Sequence, residues 1–275
     1  MLQAILFGIL QGLTEFFPVS SSGHLVVFKH IVPGMQQWES GIEFEVAVHL
    51  GTTVAVLLLF WREVVEIFRE CVSIFRKAVM ERKPLEALQG PDGLPLAAAI
   101  VLATIPTVLI AVPFKDTFER MFSSVGLVGV AFAVTGALLW VTRWFDQAGE
   151  RRPLGAWRAS IVGVVQGIAI IPGISRSGST ISAGLILRLD REKAAKFSFL
   201  LSVPAVLGAC VWKLRHGFSL DAARLHELIV GTVAAAVVGY VCLRLLMPLI
   251  KRGRFYYFAY YCWFAAIVAL LLSCR

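Results

Sequence analysis

Two polar segments with a shared pattern interrupt the apolar runs of this chain. The first reads QGLTEFFPVSSSGH at residues 11–24, and the second reads QGIAIIPGISRSGS at residues 166–179. Their first glutamines and their last glycines are both 155 positions apart. Irregular backbone survives at membrane depth only where protein or a water-filled cavity satisfies its polar groups. Two such breaks at matching places therefore predict a shared site at the interface of a structural repeat.

The rest of the chain is apolar enough to cross a membrane several times. Hydrophobic residues make up 58% of the 275 residues, and the mean hydropathy is +0.77. The longest polar connection, Arg62–Leu94, is too short for a soluble domain, although it suits an amphipathic helix through Arg76. The sequence predicts one membrane domain, residues 1–275, with repeat halves 1–148 and 149–275. The predicted spans are Phe44–Trp61, Leu96–Pro113, Val125–Val141, Phe197–Trp212, Leu228–Leu246 and Tyr256–Leu272.

The net charge of +8 indicates a membrane orientation and not a nucleic-acid partner. If each motif segment returns to the side it left, 18 of the 26 Lys and Arg side chains fall on one side. Seven fall on the other side, and Arg176 lies inside the second motif. The positive-inside rule makes the first side cytoplasmic, so both termini are expected on the external side.

Each half then has three true crossings, so the second half inserts upside down relative to the first. The sequence predicts an all-α integral membrane fold with an inverted-topology repeat. It comprises about six transmembrane helices plus two re-entrant helical hairpins. The hairpin tips, Ser20–Gly23 and Ser175–Gly178, are expected to meet near the midplane.

The hairpin tips have the chemistry of a phosphate site. Each offers hydroxyls and free backbone amides at the start of a helix, where directed N–H groups and the positive helix end attract anions. The alternative is that the serines only cap their helices. The candidate phosphate-binding residues are Ser20, Ser22, Gly23, Ser175, Ser177 and Gly178, followed by Ser179 and Thr180.

Four side chains in the motifs point to catalysis. Arg176 costs about 2.5–3.5 kcal/mol inside a membrane, so it needs a partner, and its planar fork suits bidentate binding of phosphate. The alternative is a purely structural ion pair with Glu15. Glu15 is a candidate metal ligand or acid–base group. Ser21 and His24 supply a hydroxyl and an imidazole for attack on a phosphoryl group.

Two further residues are weaker candidates. Gln11 lies four residues before Glu15 and shares its helical face. His49 lies just inside the next predicted span and is more typical of a hydrogen-bonded helix residue.

With these motifs, the chain closely resembles the undecaprenyl-pyrophosphate phosphatase family, the bacitracin-resistance proteins, over essentially its full length. The resemblance implies a multi-pass enzyme of the bacterial inner membrane with its active site open to the periplasm. Such an enzyme removes the terminal phosphate of undecaprenyl pyrophosphate and so recycles the lipid carrier for peptidoglycan synthesis. Bacitracin competes for that lipid, and an oligomer is compatible with the resemblance.

The resemblance also implies roles for individual residues. Ser21 and His24 match the nucleophile and the acid–base group, and Arg176 matches the phosphate-binding arginine. Glu15 matches an acid associated with a divalent cation, Mg²⁺ or Ca²⁺. This chain has Gln11 where many members have Glu, which argues against Gln11 as a direct metal ligand.

Two other functions compete with the phosphatase. Paired broken helices are typical of transporters, so a flippase of undecaprenyl phosphate is the main alternative. Such a carrier needs Arg176 for anion binding but has no need of Ser21 and His24 beside Glu15. A purely structural membrane subunit leaves Glu15 and Arg176 as a costly ion pair without purpose.

Overall fold

The computed structural model describes residues 1–32, 41–90, 93–121, 124–145, 151–215 and 225–274. Within these ranges the regular elements are helices, and no strand forms. A π-helical segment at Arg76–Met80 and a 3₁₀ turn at Phe255–Tyr257 accompany the α-helices. The α-helices are α1 Leu2–Phe16, α2 Ser21–Ile31, α3 Gly41–Leu59, α4 Trp61–Phe75, α5 Pro84–Ala87, α6 Leu96–Ala111, α7 Lys115–Met121, α8 Val125–Phe145, α9 Ala156–Ile168, α10 Arg176–Ile186, α11 Arg191–Arg215, α12 Leu225–Lys251 and α13 Phe258–Ser273.

Some residues used in the sequence predictions lie outside these ranges. They are the predicted boundary between the halves, at residues 148 and 149, and the charged residues Arg224 and Arg275. The side chains of Lys115 and Lys213 are also outside the description.

Four helices of the described chain are long and apolar enough to cross a membrane, namely α8, α11, α12 and the segment Phe255–Ser273. Helices α3 and α4 make a fifth if they count as one span bent by 84°. The remaining predicted span corresponds to α6, whose 16 residues reach about 24 Å at 1.5 Å per residue. A bilayer core is about 30 Å thick, so the sixth span stays a prediction.

The bend separates an apolar helix from an amphipathic one. Phe60, at the bend, is 3% exposed and stacks on Phe199. Beyond it, α4 exposes Phe68, Val72 and Phe75 at helical spacing, with charged residues on the other face. This pattern is typical of a helix lying in the membrane interface. The predicted amphipathic helix in the first long connection is therefore confirmed.

Both motif segments form the predicted broken helices. In the first, α1 ends at Phe16 and α2 starts at Ser21; in the second, α9 ends at Ile168 and α10 starts at Arg176. None of these four helices exceeds 15 residues, so none crosses a bilayer alone. The two breaks meet in space, because a Cβ added at Gly23 would lie 2.8 Å from the Gly173 Cα.

Glycines allow the first helix of each hairpin to pack closely against a neighbouring helix. Gly8 packs on Gly231 of α12, where an added Cβ would lie 2.4 Å from a carbonyl oxygen. Gly163 packs on Ala103 of α6 in the same way, at 2.1 Å. Gly8 and Gly163 are 155 positions apart, like the motifs themselves. The two hairpins thus use equivalent glycines for equivalent close contacts.

We predict that Gly163→Ala lowers the thermal stability of the purified protein. The new methyl group would overlap the Ala103 carbonyl oxygen, and overpacking of this kind costs about 1–3 kcal/mol. The measurement is the unfolding temperature in detergent. Gly208→Ala is the matched control, since nothing lies within 4 Å of an added Cβ there. Equal unfolding temperatures for the two variants would contradict the packing described here.

Candidate active site

The carboxylate of Glu15 is the centre of the polar site between the hairpins. Its side chain is only 6% exposed. One oxygen accepts a hydrogen bond from the Arg176 guanidinium. The other accepts from the Ser21 hydroxyl at 2.7 Å and from the Gln11 amide at 2.9 Å. A buried carboxylate needs such compensation, and here it comes from both halves of the chain.

Gln11 joins this carboxylate to His49 of α3. Its side-chain nitrogen lies 3.0 Å from His49 Nδ1, and that ring nitrogen lies 3.9 Å from a Glu15 oxygen. Spacing of four residues on α1 places Gln11 one turn from Glu15. The two weaker sequence candidates are therefore part of the same polar cluster.

The first break positions Ser21 through a strained residue. Ser20 has φ of 67°, in the left-handed region that non-glycine residues rarely adopt. Its hydroxyl caps α2 by accepting from the Gly23 amide at 3.3 Å. This sharp entry presents Ser21 to Glu15 from the first turn of the helix. Strained residues of this type concentrate at functional sites.

The second break positions Arg176 through a threonine of α8. The Thr135 hydroxyl donates to the Gly173 carbonyl at 3.0 Å and accepts from the Ser175 amide at 3.1 Å. The Ser175 hydroxyl then caps α10 by accepting from Gly178 at 3.0 Å. Arg176, the first residue of α10, is thereby held against Glu15. Sequence reasoning missed Thr135, which looks like an ordinary small residue of an apolar helix.

The predicted catalytic and phosphate-binding residues at the two helix breaks beyond Glu15 divide into two groups. Ser21, Ser22, His24 and Arg176 are partly exposed. The others are buried and bonded or packed within the protein; Ser177, for example, donates to the Glu15 and Phe16 carbonyls at 3.4 and 3.3 Å. The hydroxyls of Ser20 and Ser175 cap their helices, as the alternative in the sequence analysis stated. The buried group comprises Ser20, Gly23, Ser175, Ser177, Gly178, Ser179 and Thr180.

His24 lies beside the cluster and not within it. Its Nδ1 is 2.8 Å from the Ser20 carbonyl, and its Nε2 is 2.8 Å from the Tyr261 hydroxyl of α13. The ring stacks on Tyr261 with centroids 5.6 Å apart, and it meets the edge of Phe132. The hydroxyl of Ser21 thus donates to Glu15, whereas the sequence analysis gave His24 as the acid–base group beside Ser21. Tyr261 was also missed, since it is one of many aromatic residues in an apolar helix.

The donor set does not fit a resident metal ion. Both Glu15 oxygens already have partners, and the described residues contain no group of three His, Cys, Asp or Glu side chains suited to a metal. The Gln11 carbonyl oxygen is buried without a partner and adds one neutral donor. Mg²⁺ and Ca²⁺ need six or more oxygens. The predicted cation at Glu15 therefore requires an ion whose other ligands come from water and from substrate phosphate.

Comparison with known proteins identifies the family. The family model for bacitracin resistance protein BacA matches residues 4–268. The undecaprenyl-diphosphatase of Desulfosudis oleivorans is 42% identical, over 100% of this chain and 99% of the relative. Those of Desulforapulum autotrophicum and Carboxydothermus hydrogenoformans are 39% and 41% identical, each over 98% of this chain and 97% of the relative. Because these matches span nearly the whole chain, the protein belongs to the bacitracin resistance protein BacA family.

Proposed function

We propose that this protein is an integral membrane phosphatase that hydrolyses undecaprenyl pyrophosphate to the monophosphate. The observation that carries the proposal is the contact of the Ser21 hydroxyl and the Arg176 guanidinium with the same carboxylate, Glu15. A hydroxyl, a carboxylate and a guanidinium thus lie in one place, and these groups suit a nucleophile, its proton acceptor and a phosphate-binding cation. The printed name of the relatives, undecaprenyl-diphosphatase, supports this substrate.

In the proposed reaction, Arg176 holds the terminal phosphate through its remaining N–H groups. The Ser21 oxygen attacks the terminal phosphorus while Glu15 accepts the hydroxyl proton across their 2.7 Å hydrogen bond. The anhydride P–O bond breaks, and the lipid monophosphate leaves. Water then cleaves the serine phosphoester, with His24 as its acid–base group at the exposed edge of the site. A divalent cation bound to the pyrophosphate oxygens would neutralise charge at this site.

The proposal extends to the membrane setting. We place the protein in the bacterial inner membrane, with the site open to the periplasm and both termini on that side. There it would recycle the carrier lipid of peptidoglycan synthesis and confer bacitracin resistance, because bacitracin competes for the same lipid. The inverted repeat is supported by the glycine pairs Gly8 and Gly163, and by the matching caps at Ser20 and Ser175.

A flippase of undecaprenyl phosphate is the second candidate. The meeting of two broken helices favours it, since transporters commonly bind substrates at such breaks. The Ser21–Glu15 hydrogen bond has no purpose in a carrier, which is why the phosphatase ranks first.

Ser21→Ala is expected to slow phosphate release from undecaprenyl pyrophosphate at least ~100-fold, because the nucleophile is lost. Binding of the lipid should persist, since Arg176 remains in place. The measurements are phosphate release and lipid binding by purified protein, each with and without a chelator. Ser182→Ala is the control, because it removes a buried hydroxyl that has no partner among the described residues. Normal hydrolysis by Ser21→Ala would exclude Ser21 as the nucleophile, whereas lipid binding without phosphate release by the unmodified protein would favour the carrier.

Tyr261→Phe should lower kcat about 2- to 10-fold with little change in KM, because one hydrogen bond that orients His24 is lost while the ring stacking remains. His24→Ala should cost at least ~100-fold. The double variant should be no slower than His24→Ala alone, since Tyr261 acts through His24. If the rate loss of the double variant equalled the product of the two single losses, Tyr261 would act independently of the imidazole.

The orientation can be tested with single-cysteine variants in intact cells. Cys274 is exposed at the end of α13, and the Lys83 side chain is 54% exposed in the opposite set of loops. An impermeant maleimide should label Cys274 as the sole cysteine, whereas Lys83→Cys in a cysteine-free background should react only after permeabilisation. The reverse pattern would contradict the proposed topology.

A further inference from the structure

A cavity with charged and apolar walls lies away from the Glu15 site, among the ends of α3, α11 and α12. Its volume is about 690 Å³. One wall, formed by the end of α12 and the turn after it, runs from Arg244 to Arg252, whereas Met1 pairs with Glu227 at the other end of that helix. Gly12 of α1 packs beside Gly239, in the middle of α12. The Glu15 site, one turn further along α1, therefore lies nearer the middle of α12 than its C-terminal end. The cavity therefore lies at the end of the bundle remote from Met1.

The acidic groups of this cavity are already neutralised. Lys196 bonds Glu63 at 2.6 Å and Glu192 at 3.0 Å, and Lys251 bonds Glu192 at 2.8 Å. This chain of ion pairs ties α4, α11 and α12 together and fixes the cavity walls. Its two carboxylates balance its two ammonium groups.

Three arginines at the cavity remain in excess. Arg62, Arg244 and Arg252 line it, and none has a carboxylate partner among the residues that the structure describes. Arg244 also lies 5.9 Å from the ring centre of Tyr240, which limits its orientations. The planar fork of arginine matches phosphate oxygens bidentately, so this excess of charge suits a phosphate-bearing ligand.

The apolar part of the cavity indicates that the ligand is an amphiphile. Leu58 and Trp61 line it, and each side chain is 62% exposed. They flank the 84° bend where the apolar helix α3 gives way to the amphipathic α4. An amphipathic helix with an exposed apolar face lies at the edge of the hydrocarbon core, and tryptophan concentrates at that depth. The cationic and apolar walls therefore meet at the level of lipid headgroups.

We propose that this cavity binds the phosphate headgroup of an anionic membrane phospholipid. The headgroup would contact the guanidinium groups of Arg62 and Arg244, while an acyl chain lies along Leu58 and Trp61. Basic pockets between transmembrane helices recognise anionic lipids in this manner. A free phosphate would use the arginines but leave the apolar wall uncovered. The proposal is independent of the phosphatase activity, because the cavity shares no residue with the Glu15 site.

The test measures binding of phosphatidylglycerol to the purified full-length protein by native mass spectrometry, with phosphatidylcholine and inorganic phosphate as comparison ligands. The double variant Arg62→Gln/Arg244→Gln should bind phosphatidylglycerol about 30-fold more weakly than the unmodified protein, since two charges at the membrane surface are removed. The control is Arg69→Gln/Arg143→Gln. It removes an exposed arginine of α4 and one held over Trp140, and neither residue lines the cavity.

The expected result is a preference for phosphatidylglycerol over phosphatidylcholine that the cavity variant loses and the control variant keeps. Equal binding by the two double variants would overturn the proposal, as would displacement of the lipid by millimolar inorganic phosphate. Phosphate release and unfolding temperature of each variant show whether it is folded. If the cavity variant loses its preference for phosphatidylglycerol but hydrolyses its substrate normally, the lipid site in the cavity is supported. If the unmodified protein releases no phosphate, the result contradicts only the proposed phosphatase activity.

Discussion

The ion pair between Glu15 and Arg176 is the interaction on which the arrangement of the two hairpins depends. The residues are 161 positions apart in sequence, and each lies at a helix break. A buried ion pair has little net value, but removing one partner costs about 3–5 kcal/mol because the other charge is left uncompensated. The chain therefore has to hold both breaks in contact. The bonds from Ser177 to the last carbonyls of α1 serve this purpose.

Glycine makes this contact sterically possible. A side chain at Gly23 would strike Phe132 and Gly173, and one at Gly12 would strike the backbone of α12. Because association in a membrane lacks a hydrophobic driving force, close backbone packing of this kind has to supply much of the stability. The motif glycines thus serve the site indirectly: they let two irregular segments approach closely enough to share one carboxylate.

Sequence reasoning succeeded where local pattern determined the structure. The constant offset between the motifs predicted the paired breaks, and the cost of a charge in lipid predicted a partner for Arg176, with Glu15 as the alternative to phosphate. The position of His24 was not predictable, because Tyr261 is 237 positions away and its helix has no distinctive polar pattern. Composition also gave no sign that α3 and α4 bend sharply at Phe60, a turn fixed by tertiary stacking on Phe199.

The two motif copies share a backbone frame but differ in the side chains that meet. Ser20 and Ser175 cap their helices alike, yet Ser21 of one copy occupies the place of Arg176 in the other. Two identical motif copies would bring identical side chains together. In this chain the copies differ, so the Ser21 hydroxyl and the Glu15 carboxylate meet the Arg176 guanidinium. In the proposed reaction, the incoming pyrophosphate binds the remaining N–H groups of the guanidinium that pairs with one oxygen of Glu15, while the other oxygen accepts the Ser21 proton. Arg176 and Ser21 thus meet through one carboxylate, which couples recognition of the phosphate to activation of the nucleophile.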